Sequence, residues 1–374
     1  MRCKIFRACT VSMSIDFVAG MLPMLKERYE VILLSSPGPE MDVVTAKYGV
    51  RGISIPMERH ISLYHDIVSL WHLIQVLRKE KPMMVHSMTP KAGLLCMLGA
   101  WLTRVPVRVH TFTGLVFPTA KGVKRKILML TDWLTCACAT HIIPEGEGVK
   151  NDLLNHGITK KPLKVLGYGN VKGVDLHRFN GKRCDGKDGM FRFLFVGRIV
   201  KDKGINELIE AFVRLNQNYP QSKLVLVGPF EDNLDPVSEE ARKVIVGCSS
   251  IESVGEKQGE ELVSYYAAAD CYVFPSYREG FPNTVLEAGA MGLPCIVTDI
   301  NGSREIIEDG KNGIVVPPQD AEALYHAMEK MMTDSDGRNR MGGEARKIVV
   351  ERYDQDFVRQ CLQDYYDEIL KPYV

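Results

Sequence analysis

"FRFLFVGRIVKDKG", residues 191–204, decides the architecture. It reads as a strand that runs out into a basic, glycine-flanked loop, and "INELIEAFVRL" (205–215) continues it as a helix. Just before it lie a glycine-rich stretch, "GYGNVKGVDLHRF" (167–179), and a polar one, "NGKRCDGKDG" (180–189). Upstream of this joint a complete set of alternating strands and helices has already been laid down. Residues 191–204 therefore restart a β/α pattern.

The first half reads as strands at Ile5–Ala8, 29–36, 52–56, 82–87, 105–114 and 140–147, with helices near Phe17–Glu27, 65–80, after Thr89-Pro90, and over 121–139. "YEVILLSS" (29–36) is continuously apolar, as strands buried on both faces of a parallel sheet are. After the restart, strands are expected at 222–229, 249–256, 269–276, 293–299 and 312–320, a helix at 259–268, and two helices to close the chain. The expected fold is α/β: two Rossmann-like domains facing across a cleft, residues 1–168 and 169–352, with a final helix in 353–374 packing back on the first.

A chain of 374 residues is long enough for two such cores. A net charge of +1 provides no global field to select nucleic acid, and no such partner is expected. The ten cysteines are scattered apart from a C-x-C at Cys136 and Cys138. They read as buried free thiols in a reducing, cytoplasmic setting. Ser12, Ser14 and Asp16 interrupt the apolar N-terminus, which reads as strand, loop and helix instead of a leader. The longest apolar run, Ala92 to Leu102, is too short to span a bilayer.

Arg198 and Lys203 sit just past a strand end beside Gly197 and Gly204, where two cations can neutralise a diphosphate. The bland alternative is a solvated loop. "PSYREGFPNTVLEAGAMGLP" (275–294) places Glu279 in a turn, then Gly280-Phe281-Pro282, then a helix with Asn283 as its expected N-cap. N–H groups near Thr284 to Leu286 would point out of the helix end and attract an anion. Glu279 could accept hydrogen bonds from sugar hydroxyls, and Glu287, a turn into the helix, from the vicinal hydroxyls of a ribose. Each glutamate alone could be a turn or helix-surface acid; the ordered set reads as sugar, phosphate, ribose.

These stretches resemble the E-x7-E signature and the Arg/Lys loop of retaining GT-B glycosyltransferases, family GT4. "HSMTPKAGLLCMLGA", "LTCACATHIIPEGE" and "GYGNVKGVDLHRF" are similar to a subgroup that builds capsule, O-antigen and lipid-linked oligosaccharides. The resemblance implies a hexosyltransferase with a nucleotide-sugar donor, UDP-linked by family habit, and a polyprenyl-diphosphate-saccharide acceptor. It implies Glu279, Arg198 and Lys203 as the catalytic set. Donor contacts are implied from Phe281, Asn283 and Thr284, from Gly280 and Pro282 beside them, from Glu287, and from Val254 and Gly255 around the base. No D-x-D acid pair suited to a metal bridging the diphosphate is evident, so neither metal nor cofactor is expected.

The acceptor side is less regular. Ser12 and Ser14 occupy a loop where many relatives have Gly-Gly. Thr113 stands where many have the histidine of T-x-H-G, and His110 does not simply replace it. His86, after a strand, and Lys91, in a first helical turn, are further acceptor candidates, against a packed His and an exposed Lys. Lys121, Lys124, Arg125 and Lys126 precede Ile127, Leu128, Leu130, Trp133 and Leu134, a pattern that fits either an anionic membrane surface or a helix packed on the core. Two other functions share the pattern: a nucleotide-sugar 2-epimerase and a non-catalytic nucleotide-sugar binder.

Overall fold

Short apolar runs bounded by Gly, Pro and polar residues dictate the framework: each has the length of a buried strand and falls short of an ordinary helix. The computed structural model describes residues 2–58, 62–184, 189–232 and 235–373. In chain order the first set of elements is β1 (Cys3–Ala8), α1 (Asp16–Ala19), α2 (Leu22–Arg28), β2 (Tyr29–Ser35), α3 (Pro39–Tyr48), β3 (Arg51–Ser54), α4 (Leu63–Glu80), β4 (Met84–Met88), α5 (Pro90–Leu102), β5 (Val107–Phe112), α6 (Gly122–Cys138), β6 (His141–Pro144) and α7 (Glu147–Asn155). The second set is β7 (Phe191–Val196), α8 (Ile205–Asn218), β8 (Ser222–Val227), α9 (Glu239–Gly247), β9 (Ile251–Ser253), α10 (Gly259–Ala268), β10 (Cys271–Phe274), α11 (Asn283–Ala290), β11 (Cys295–Thr298), α12 (Ser303–Ile306), β12 (Gly313–Val316), α13 (Ala321–Thr333) and α14 (Ser335–Arg352). A last helix, α15 (Gln355–Leu370), follows.

The chain forms two compact units: Met1–Lys172 with Asp356–Val374, and Gly173–Gln355. The first contains a six-stranded sheet of order β3-β2-β1-β4-β5-β6, the second one of order β12-β11-β10-β7-β8-β9. Every described strand pair is parallel. Both are doubly wound sheets, and each reverses direction once, between β1 and β4 in the first unit and between β7 and β10 in the second. Ligands of open α/β sheets bind outside the strand ends at such a switch point.

Three local readings need correction. Helix Phe17–Glu27 is two short helices, because Gly20 and Pro23 interrupt it, and Pro23 is usable only in a first turn. Three helices, not two, close the chain: Asp334 ends α13 and its side chain accepts from Gly337 N–H to cap α14 at 2.9 Å. The polar joint 180–189 is partly bound to the second unit, where Cys184 N–H donates to Ala267 O at 2.9 Å; residues 185–188 of it lie outside the described residues. All ten cysteines are free thiols. No described helix is long and apolar enough to cross a membrane.

Candidate active site

In the second unit, the loops leaving β7 and β10 are adjacent because the strands are hydrogen-bonded neighbours. They are stitched together. Tyr277 N–H donates to Asp202 O at 2.9 Å, Arg278 pairs with the Asp202 carboxylate at 3.0 Å, and Tyr277 hydroxyl reaches Glu207 at 2.7 Å. Gly204, at φ 70°, makes the close approach possible: a Cβ there would lie 2.0 Å from Pro275 O.

The stitching brings two of the predicted residues, Lys203 and Glu279, together. Lys203 donates to the Glu279 carboxylate, which also accepts from the wholly buried Ser276 hydroxyl at 2.9 Å. The Lys203 ammonium lies 5.5 Å from the Phe274 ring centroid. Arg198 pairs with Glu231, in the loop after β8, at 2.7 Å. Each candidate phosphate-binding cation is thus already held by a carboxylate, which fixes its side chain.

The start of α11 differs from expectation. The N-cap is Pro282, not Asn283, and no side chain caps the helix. Val285 and Leu286 N–H both donate to Pro282 O, at 3.2 and 3.4 Å, so they are not free. Of the N–H groups expected to point out of the helix end, these two are committed to the helix's own first turn. The loop ahead of it is wedged: Gly302, at φ 72°, would place a Cβ 2.3 Å from Gly280 O and 2.7 Å from Phe281 Cα. Glu287 accepts from the buried Tyr266 hydroxyl at 2.9 Å. Burial, reinforced by the Glu287 charge, pushes the Tyr266 phenol well above its ordinary pKa, so it stays a donor. After β9, Val254 N–H is taken by Leu226 O and Gly255 O by Gly228 N–H.

The first unit sorts its candidates differently. The Thr10 hydroxyl bridges the switch point: it meets the Thr89 hydroxyl at 2.7 Å and accepts from Ala92 N–H at 3.0 Å. Thr10 therefore caps α5, and Thr89 itself makes no capping bond. Lys91 is paired with Asp66 at 2.7 Å and largely shielded. Ser12 is buried and donates to Glu40, whose carboxyl this bond holds below its usual range. Ser14 is half-buried, and its carbonyl accepts from Cys9 Sγ at 3.4 Å.

His86 does not follow its strand; it is the third residue of β4 and 1% exposed. Its Nδ1 lies 2.6 Å from Arg7 and 2.5 Å from the Tyr366 hydroxyl, and its Nε2 lies 2.7 Å from the Thr111 hydroxyl. Desolvation first, then the Arg7 charge, keeps the ring neutral. His110 is likewise buried, 2.9 Å from the Ser87 hydroxyl, with burial drawing its pKa down to about 3. Gly93 of α5 leaves room for the ring: a Cβ there would lie 2.4 Å from His110 Cε1. Neither histidine reaches a surface, whereas Thr113 lies just past β5 and is half-buried.

Residues 17–169 match the family "Glycosyl transferase 4-like domain", and residues 184–348 match "Glycosyl transferases group 1". The chain is 32% identical over 377 aligned residues to the capsular polysaccharide biosynthesis glycosyltransferase CapM of Staphylococcus aureus, covering 98% of both chains. It belongs to the GT4-like glycosyltransferases. A UDP-Gal:alpha-D-GlcNAc-diphosphoundecaprenol alpha-1,3-galactosyltransferase of Escherichia coli is 28% identical, over 87% of this transferase and 86% of that one. Anabaena Alr3699/HepE, solved in complex with UDP and glucose, superposes with a TM-score of 0.81 at 16% identity, covering 98% of this transferase and 100% of that chain. The fold is GT-B, with two Rossmann-like units.

Sequence reasoning missed Tyr266, Ser276 and Glu231 in this transferase. Each acts through a hydrogen bond or ion pair to a residue 3 to 33 positions away. No periodicity or motif marks such a partner. Asp334-Ser335-Asp336 and Asp354-Gln355-Asp356 are D-x-D in letters, but they lie at the starts of α14 and α15, not at strand ends.

Proposed function

We propose that this transferase moves a hexose or N-acetylhexosamine from a UDP-linked donor to a polyprenyl-diphosphate-linked saccharide in surface polysaccharide synthesis, with retention at the anomeric carbon. The observation that carries the reading is the Lys203–Glu279 pair at the switch point, with Arg198 after the same strand and Glu287 on the following helix. Cations for a diphosphate, a carboxylate for sugar hydroxyls and a second for ribose are the three kinds of group a nucleotide sugar requires. The names of the two sequence relatives support capsule synthesis and a lipid-linked acceptor.

In this reading Arg198, Lys203 and the first turn of α11 stabilise the charge that develops on the departing diphosphate, without a metal or other cofactor. Glu279 orients the sugar through its hydroxyls. The acceptor hydroxyl attacks from the face the diphosphate leaves, and a phosphate oxygen takes its proton. Thr113 and Lys91 are the residues of the first unit proposed to meet the acceptor, with Ser14. A lipid-linked acceptor places the reaction beside a membrane.

The test is nucleoside diphosphate release from a panel of UDP- and GDP-sugars, with and without a polyprenyl-diphosphate-saccharide in detergent. Acceptor-dependent release from one donor, with NMR of the product showing retention, is the expected result. Acceptor-independent conversion of a UDP-sugar would establish an epimerase instead. Tight UDP binding without any turnover would establish a binder. Inverted product would remove the same-face displacement while leaving the transferase.

A further inference from the structure

The sequence leaves open whether α6 packs its apolar residues on the core or presents them outward. It does both, and it is not alone. Among the described residues, eleven of the nineteen exposed large apolar side chains lie on α4, α6 or the end of α5. These three helices are neighbours on one side of the first sheet: α5 packs on α4 where Gly99 meets Leu73, and α6 packs on α5. Each contributes one of the chain's three tryptophans, and all three are exposed: Trp71 57%, Trp101 53% and Trp133 48%.

The exposed residues follow helical spacing. Ile67 and Trp71 on α4 are four apart, and Ile127 and Leu130 on α6 three apart, so each pair forms an outward stripe. The opposite face of each helix is already buried, through Leu73 and Leu77 on α4 and Thr135 and Cys136 on α6. A helix that buries one side in its own core and keeps an apolar stripe on the other has a second surface to satisfy.

Charge distinguishes what that surface meets. Lys121, Lys124, Arg125 and Lys126 crowd the start of α6, and no Asp or Glu occurs from Leu115 to Thr131. Cations at a helix N-terminus oppose the helix dipole, so helix stability does not account for them. None of the four has a carboxylate partner among the described residues. On α4, Asp66 is neutralised by Lys91. On α6, Asp132 is buried, and desolvation lifts its pKa to about 7. Basic residues beside exposed Trp, Ile and Leu match a bilayer interface: anionic headgroups for the cations, the acyl boundary for the indoles.

We infer that the outer face of α4, α5 and α6 docks the protein on an anionic lipid surface. The inference rests on this face and not on which sugar or acceptor the protein uses, and its test needs neither. Because every tryptophan lies on this face, intrinsic fluorescence of the full chain reports on it alone. Vesicles of phosphatidylcholine with phosphatidylglycerol should shift the emission to shorter wavelength, and brominated acyl chains should quench it. Phosphatidylcholine alone, or high salt, should give much weaker binding. Exchanging Lys121, Lys124 and Lys126 together for Gln should weaken partitioning by about a hundredfold and leave the thermal midpoint unchanged, since all three are exposed. Trp133→Ser with Ile127→Ser should weaken it while Trp71 and Trp101 still report. No spectral response to anionic vesicles would overturn the inference, as would binding that leaves the tryptophans unquenched. A concentration-dependent dimer that covers them without any vesicle response would assign the face to a second copy instead.

Discussion

Lys203 and Glu279, 76 residues apart, are each other's partners, and their ion pair joins the loop after β7 to the loop after β10. The two side chains proposed to meet phosphate and sugar therefore depend on one another before either meets a ligand. Lys203→Ala should lower kcat/KM by about a hundred- to a thousandfold, the usual loss when a group aimed at developing charge is removed. Glu279→Gln should lose a similar amount. The double variant should lose much less than the product of the two, because each single change strands a shielded charge. Full additivity in steady-state kinetics would mean that the two act separately.

Arg198 and Glu231 present a different balance, because this pair is much more exposed. Such pairs contribute roughly 0–1 kcal/mol to stability. Glu231→Ala should therefore leave the thermal midpoint nearly unchanged and free Arg198 for the diphosphate, so UDP affinity should stay equal or rise. Arg198→Ala should weaken UDP binding by about ten- to a hundredfold, as loss of a charge-assisted contact does. Calorimetric titration of both variants checks this.

Tyr266 holds Glu287 from beneath α11. Tyr266→Phe keeps the ring and removes one hydrogen bond, worth about 0.5–1.5 kcal/mol. A donor KM raised by about two- to tenfold with kcat nearly unchanged is the expected signature. A fall in kcat alone would show that Glu287 does more than hold the donor.

Stability should depend on pH through buried groups of opposite sign. His86 and His110 have folded pKa values below the unfolded value of about 6.5, so their contribution is complete above it. It is lost as pH falls from there, because the unfolded chain then binds more protons. Asp132 is raised to about 7, so its contribution is complete below the unfolded carboxylate range and lost as pH rises toward 7. Asp132→Asn should thus stabilise the protein by on the order of 2–4 kcal/mol at pH 8. The gain should shrink steadily toward pH 5, as urea melts at several pH values would show.

Gly204→Ala tests the loop geometry itself. A Cβ there meets Pro275 O in a left-handed backbone, so the β7 and β10 loops must separate. Activity should fall by at least tenfold, with stability reduced by about 1–3 kcal/mol. Unchanged activity would mean that the Lys203–Glu279 pair forms without this close approach.

Alternation of apolar runs with amphipathic stretches sufficed for two doubly wound units, because a buried parallel strand requires continuous apolar residues. The order of cations, turn and glutamates likewise pointed to the loops after β7 and β10, which the structure brings together, since strand ends and helix starts are local events. Local pattern could not say which way a side chain faces or what it meets. His86 and Lys91 read alike on the page, yet one is sealed against Arg7 and Tyr366 and the other is held by Asp66. Thr10 caps a helix that begins 80 residues later, and Tyr266 supports a glutamate on another helix. The outward stripe of α6 resembled a core stripe until α5 occupied its inner side. Sequence determined the elements, their kind and the chemistry available at their ends. Tertiary structure alone decided partner, burial and direction, because each depends on contacts between segments that chain order does not bring together.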